Sequence, residues 1–133
     1  MILTDITSYK LACVVARILD DKQALKITIL DISKISVLAD YFVIASAQTT
    51  TQVKSLTGSV REKIKDLFER IPTGDENDVK NRWNLLDYGD VVVHILHQDE
   101  RETYALEKFW SHAYTVKDAD WLEESKEYGI YNK

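Results

Sequence analysis

The stretch Trp83-Asn84-Leu85-Leu86-Asp87-Tyr88-Gly89-Asp90-Val91-Val92-Val93-His94-Ile95-Leu96-His97 decides the reading of this chain. Trp83 to Asp87 and Val91 to His97 are β-forming runs. Tyr88-Gly89-Asp90 supplies a tight turn between them, with glycine where a positive φ is expected. The two runs therefore form a hairpin. Trp83, Leu85 and Asp87 alternate and so share one face of their strand. An aspartate ending an otherwise apolar strand is poorly placed in a core, so that face is expected not to be wholly internal.

Outward from the hairpin, Gln98-Asp99-Glu100 turns the chain, and Tyr104, Leu106, Phe109 and Trp110 are expected on the apolar face of a closing helix. From Tyr114 the pattern weakens, and residues 114–133 read as a tail with at most one short helix around Trp121 and Leu122. On the other side, Thr73 to Asp78 is a polar, turn-forming loop. Before it lies a long helix with Thr49, Thr50 and Thr51 as N-cap candidates. Its apolar stripe is Val53, Leu56, Val60, Ile64, Leu67, Phe68 and Ile71, and Pro72 is expected to end it. Gly58 inside this helix costs about 1 kcal/mol against alanine unless close packing requires it.

Further upstream, Leu25 to Ile32 and Tyr41 to Ser46 read as strands. The near-continuous apolar run Tyr41-Phe42-Val43-Ile44-Ala45 is expected in the middle of a sheet, buried on both faces. Thr7 to Asp21 is a first helix, with Leu11, Val14, Val15, Ile18 and Leu19 at helical spacing and Lys10, Arg17 and Asp20 outside that stripe. The order is α-β-β-α-β-β-α: an α/β (α+β) chain with a mixed sheet and helices packed on it. Residues 1–113 are expected to form one domain and 114–133 its tail.

Composition bounds the function. The chain has 133 residues, 45% hydrophobic and 29% charged, enough for one core and unlike a disordered tail. No apolar run approaches the roughly 18–20 residues that cross a bilayer. Met1 to Lys10 has neither a secretory nor a transit pattern, and the one cysteine, Cys13, excludes an internal disulfide. A soluble cytoplasmic protein is expected. Residues 1–66 carry 9 basic and 7 acidic side chains, residues 67–133 carry 8 and 15. The acidic half would repel nucleic-acid phosphates and steer a basic protein partner, although it also serves solubility.

The search for chemistry fails. Glycines stand at 58, 74, 89 and 129, and no phosphate loop can be built from them. His94 and His97 are three apart on a strand and point to opposite faces, so no metal is expected there. Asp87 and Asp90 flank a turn, where aspartate serves backbone hydrogen bonding. Cys13, among apolar neighbours, reads as a small buried side chain. What remains is an aromatic and acidic cluster, Trp83, Asp87, Tyr88 and Asp90. Such residues anchor protein interfaces. Structural burial of Trp83 is the competing reading.

The hairpin Trp83 to His94, followed by Arg101-Glu102-Thr103-Tyr104-Ala105-Leu106-Glu107-Lys108-Phe109-Trp110, closely resembles the ribosomal silencing factor (Iojap) family. Leu30-Asp31-Ile32-Ser33, Ala39-Asp40-Tyr41-Phe42-Val43-Ile44 and Gln52-Val53 match its other signatures, so the resemblance spans roughly residues 7 to 113. Gly74-Asp75-Glu76-Asn77 stands where the family usually has a Glu-Gly pair, and Asn84 where an aliphatic residue is usual. The resemblance implies a nucleotidyltransferase-like fold without catalytic carboxylates, no cofactor, and no membrane or sequence-specific nucleic-acid partner. It implies a protein that binds the large ribosomal subunit through protein uL14 at the intersubunit face. Small-subunit joining would be blocked and translation repressed under nutrient limitation. Family members often form homodimers when free. Trp83, Leu85, Asp87, Tyr88 and Asp90, with His94, are the residues expected at the partner. The alternative, a nucleotidyltransferase-like enzyme acting on a nucleotide or RNA, needs a Gly-Ser-type loop followed by paired acids, and neither is found.

Overall fold

The computed structural model describes residues 6–77 and 79–129. It runs α1 (Ser8–Asp21), β1 (Leu25–Asp31), β2 (Tyr41–Ala47), α2 (Thr50–Phe68), β3 (Gly74–Asn77), β4 (Trp83–Asp87) and β5 (Val91–His97). There follow α3 (Gln98–Tyr104), α4 (Leu106–Phe109), β6 (Tyr114–Thr115), α5 (Asp118–Glu124) and a 3-10 turn, Lys126–Tyr128. All strands join one sheet of order β3-β4-β5-β2-β1-β6. The hairpin forms as read: β4 pairs antiparallel with β5, Leu85 opposite His94, and Gly89 takes φ +91° in the turn.

β2 pairs parallel with β5 and antiparallel with β1, which puts it in the middle of the sheet. Its alternation feeds two cores. Val43, Ala45 and Ala47 pack with α1 and α2 in the larger cluster, alongside Leu86, Val91, Val93 and Ile95. Phe42 and Ile44 join Leu30, Ile32, Val92 and Leu96 on the opposite face. α2 and α1 thus cover one face, while the other receives the β1–β2 connection, through Ile32 and Ala39, and the chain after β5, through Leu106, Trp110 and Ala113. Both long helices start as their sequences dictate, with the hydroxyls of Thr7 and Thr49 accepting from the N–H groups of Lys10 and Gln52.

Four sequence expectations need correction. Residues 74–77 are not loop but the edge strand β3, paired antiparallel with β4; its polar side chains carry no hydrophobic period. Asp78, the last residue of that expected loop, lies outside the described residues. The second helix stops at Phe68, before Pro72, with Glu69 left-handed at its C-cap, and Ile71 is exposed rather than in the stripe. A residue preceding proline is pushed out of the helical region, so the turn is surrendered early.

The closing helix is broken at Ala105, which has φ 46°, and Tyr104 and Phe109 are exposed; only Leu106 and Trp110 face the sheet. Last, residues 114–129 are no loose tail. β6 pairs with β1, Val116 N–H donates to the Ile29 carbonyl at 2.9 Å, and Val116 and Trp121 are buried in the main core. The polar residues off the α1 stripe hold this segment. Arg17 Nη2 donates to the Leu122 carbonyl at 2.6 Å, and Lys10 Nζ donates to the Glu124 carbonyl and Glu127 Oε1, both at 2.7 Å. Residues 130–133 lie outside the described residues.

Candidate protein-docking face

On β4 the burial alternates as the sequence requires: Asn84 and Leu86 point into the helix-covered core, and Trp83, Leu85 and Asp87 stand half-buried on the opposite face. Asn84, placed where an apolar side chain is usual, is satisfied inside. Its Nδ2 donates to Thr57 Oγ1 and Asn81 Oδ1, both at 3.1 Å, and the Thr57 hydroxyl donates to the Val53 carbonyl at 2.7 Å.

Trp83 is fixed from below. Its Nε1–H donates to His94 Nδ1 at 3.2 Å. Because the indole N–H can only donate, Nδ1 is the accepting nitrogen and the imidazole proton sits on Nε2. His94 is 6% exposed, and its Nε2 is buried with no partner among the described residues. Burial pushes its pKa down to about 4, against a smaller raising effect of Asp87. The His94 ring meets Phe42 edge-on at 4.8 Å, and Phe42 in turn meets Trp110 at 5.2 Å. Trp83 lies 5.1 Å from Tyr104, their rings tilted by 51°. Beside this pair opens a groove of about 540 Å³ lined by Glu76, Asn77, Arg82, Trp83, Leu85, Glu100 and Tyr104.

Five of the six expected site residues separate into three groups. Trp83, Leu85 and Asp87 share the open face. His94 lies under Trp83 rather than at the surface. Tyr88 does not belong to the face: it is 3% exposed in the helix-side core, and burial pushes its hydroxyl up to about 12. A residue beginning a turn continues the strand alternation, which sends Tyr88 the opposite way from Asp87.

The two acids differ as well. Asp87 Oδ1 accepts the Gly89 N–H at 2.7 Å, a local turn bond, while Asp90 Oδ1 accepts from Arg70 Nη2 at 3.0 Å. The Asp90 carbonyl also accepts from the N–H groups of Asp40 and Tyr41, so this residue ties the turn to the segment that follows α2 and to the start of β2. Glu76, Arg82, Glu100 and Tyr104 escaped the sequence reading as site residues. Tyr104 was assigned to a buried helix face, and the edge strand bearing Glu76 showed no pattern.

Cys13 is fully buried and its thiol is pushed up to about 11 by burial. Among the described residues no group of three or more His, Cys, Asp or Glu side chains is placed to hold a metal. No described helix is long and apolar enough to cross a membrane.

The molecule is thus an α+β protein on a single mixed sheet, with the two long helices on one face and a half-open aromatic strip on the other. The family described as "Ribosomal silencing factor during starvation" matches residues 5–132. Ribosomal silencing factor RsfS of Bacillus subtilis is 39% identical over 94 residues, 71% of this chain and 79% of that one. The RsfS of Halalkalibacterium halodurans is 37% identical over 98 residues, 74% of this chain and 83% of that one. A crystal structure of a Chromobacterium violaceum protein superposes with a TM-score of 0.76 at 30% identity, covering 80% of this chain and 88% of that one. The chain belongs to the ribosomal silencing factor family. The match extends past residue 113, in keeping with the docked C-terminal segment.

Proposed function

We propose that this protein binds the large ribosomal subunit through protein uL14 at the intersubunit face and acts by steric occlusion rather than catalysis. Small-subunit joining is then blocked, and translation falls when nutrients are scarce. The observation that carries this reading is the Trp83-Leu85-Asp87 strip: a half-buried aromatic, an apolar side chain and an acid on a sheet face that no long helix covers. Trp83 supplies an anchor whose ring is pre-set by His94, which limits the entropy lost on docking. Asp87 and the acidic C-terminal half complement a basic ribosomal protein. The working place is the cytoplasm, and the free protein self-associates through an exposed sheet edge or through this aromatic face.

The test is sedimentation with isolated large subunits, followed by addition of small subunits. The protein should travel with the large subunit and lower the yield of joined particles. Failure to co-sediment at micromolar concentration removes the proposal.

A further inference from the structure

We propose that the groove between the β3–β4 edge and α3 receives an arginine side chain of a basic protein partner, its guanidinium held between the Tyr104 ring and the Glu76 carboxylate beside Trp83. This rests on the preceding reading that the open face meets a ribosomal protein, and it adds the residues that select what enters.

The groove has the parts such a side chain needs. Tyr104 is 56% exposed although its ring touches Trp83, so an aromatic face is presented to solvent at a built position rather than by a wandering side chain. The Trp83 N–H is already committed to His94, which leaves the indole only its rings to offer a ligand. Planar cations lie on such rings within about 6 Å of the centroid, and arginine does so more readily than lysine.

The charges of the groove are Glu76, Glu100 and Arg82. Arg82 is spent on Glu100, with Nε and Nη2 at 2.7 and 2.6 Å from the same carboxylate oxygen. Glu76 has no ion-pair partner among the described residues and is exposed on β3 opposite Leu85. Among the described groove residues a net single negative charge is therefore left, with Asp87 further along the same face. A nucleic-acid base would also stack on these rings, but its phosphates would meet those carboxylates.

A capped Gly-Arg-Gly peptide, its citrulline counterpart and a short oligouridylate serve as probes, read by NMR on the Trp83 indole and Tyr104 ring resonances. The arginine peptide should give saturable shifts at millimolar concentration, lost in Tyr104→Ala, while citrulline and oligouridylate give none. With isolated large subunits, Tyr104→Ala and Glu76→Gln should each weaken binding by about tenfold, and Glu76→Gln should also flatten its salt dependence. Both side chains are exposed, so both variants should fold.

Wild-type binding to large subunits that both variants retain unchanged overturns the arginine groove and leaves the proposed function standing. Shifts produced by oligouridylate, or equally by citrulline, also overturn it. Arginine-specific shifts in a protein that ignores large subunits would support the groove and remove the ribosomal reading.

Discussion

His94 sits under Trp83 as a neutral imidazole, and its protonation state is linked to folding. Its pKa falls from 6.5 in an open chain to about 4 when buried. The neutral form is favoured by the fold, so this contribution to stability is complete above pH 6.5. It is lost as the pH drops towards 4, because there the unfolded chain binds the proton and the folded one does not. In that window His94 should remove about 1.4 kcal/mol of stability per pH unit. Urea unfolding of wild type and His94→Phe between pH 7.5 and 4.5 measures this: the variant should show the shallower decline, and parallel declines would refute the linkage.

The two acids of the turn should part company in the same way as their bonds. Asp87→Ala should slow salt-sensitive association with large subunits. Asp90→Ala should instead lower stability by about 1 kcal/mol through the loss of its part-buried Arg70 partner, seen as a lower Tm with an unchanged association rate. Sequence alternation alone revealed that Trp83, Leu85 and Asp87 share a face. It gave no sign of Arg70, because that bond joins residues 20 apart that no local period relates. Nor could it show Trp83 resting on His94.

At the scale of elements, α1 shows both what was legible and what was missed. Its five-residue stripe was read correctly as core, yet Leu11 to Ala16 is buried without interruption. A helix apolar all round is covered on more than one side. The run Leu-Ala-Cys-Val-Val-Ala was the available signal that a further element packs over α1, and that element is the C-terminal segment with Trp121. Trp121→Ala should therefore cost about 3–5 kcal/mol, in the range of large core truncations, and denaturant unfolding will show a loss of that size. A variant with near wild-type stability would mean that α5 contributes little to the core.

β3 had no comparable signal. Its Gly-Asp-Glu-Asn sequence is held by pairing with β4 and by the Asp75 carboxylate, which accepts from Arg61 Nε and Nη2 of α2 at 2.7 and 3.1 Å. Gly58 in α2 gives an opposite case. A Cβ placed there meets nothing within 4 Å, so the close packing that would justify glycine is absent from the fold. Gly58→Ala should raise stability by about 1 kcal/mol, read as a higher urea midpoint at constant slope.

For the molecule as a whole, the fold class, the central position of β2 and the hairpin were readable because they rest on local patterns: helical spacing, an unbroken apolar run, and β-forming runs around a glycine turn. The edges of the sheet and the segment after residue 113 were not, because they rest on contacts between distant parts of the chain. Self-association belongs to this scale. If the free protein dimerises through the open face, light scattering should show the apparent mass falling with dilution across the micromolar range, and dilution should favour ribosome binding by mass action. A monomer throughout that range would exclude it.

The docking of the C-terminal segment on α1 also bears on the order in which the protein can be made. Lys10 and Glu127 are bonded across 117 positions, so the first helix leaves the synthesising ribosome long before the residues that cover its outer side exist. Until then an apolar helix must wait half-clothed, and the closing contacts are among the most distant in sequence, the kind that form slowly. Completion of the main core therefore waits for Val116 and Trp121, the latest-made of its buried residues.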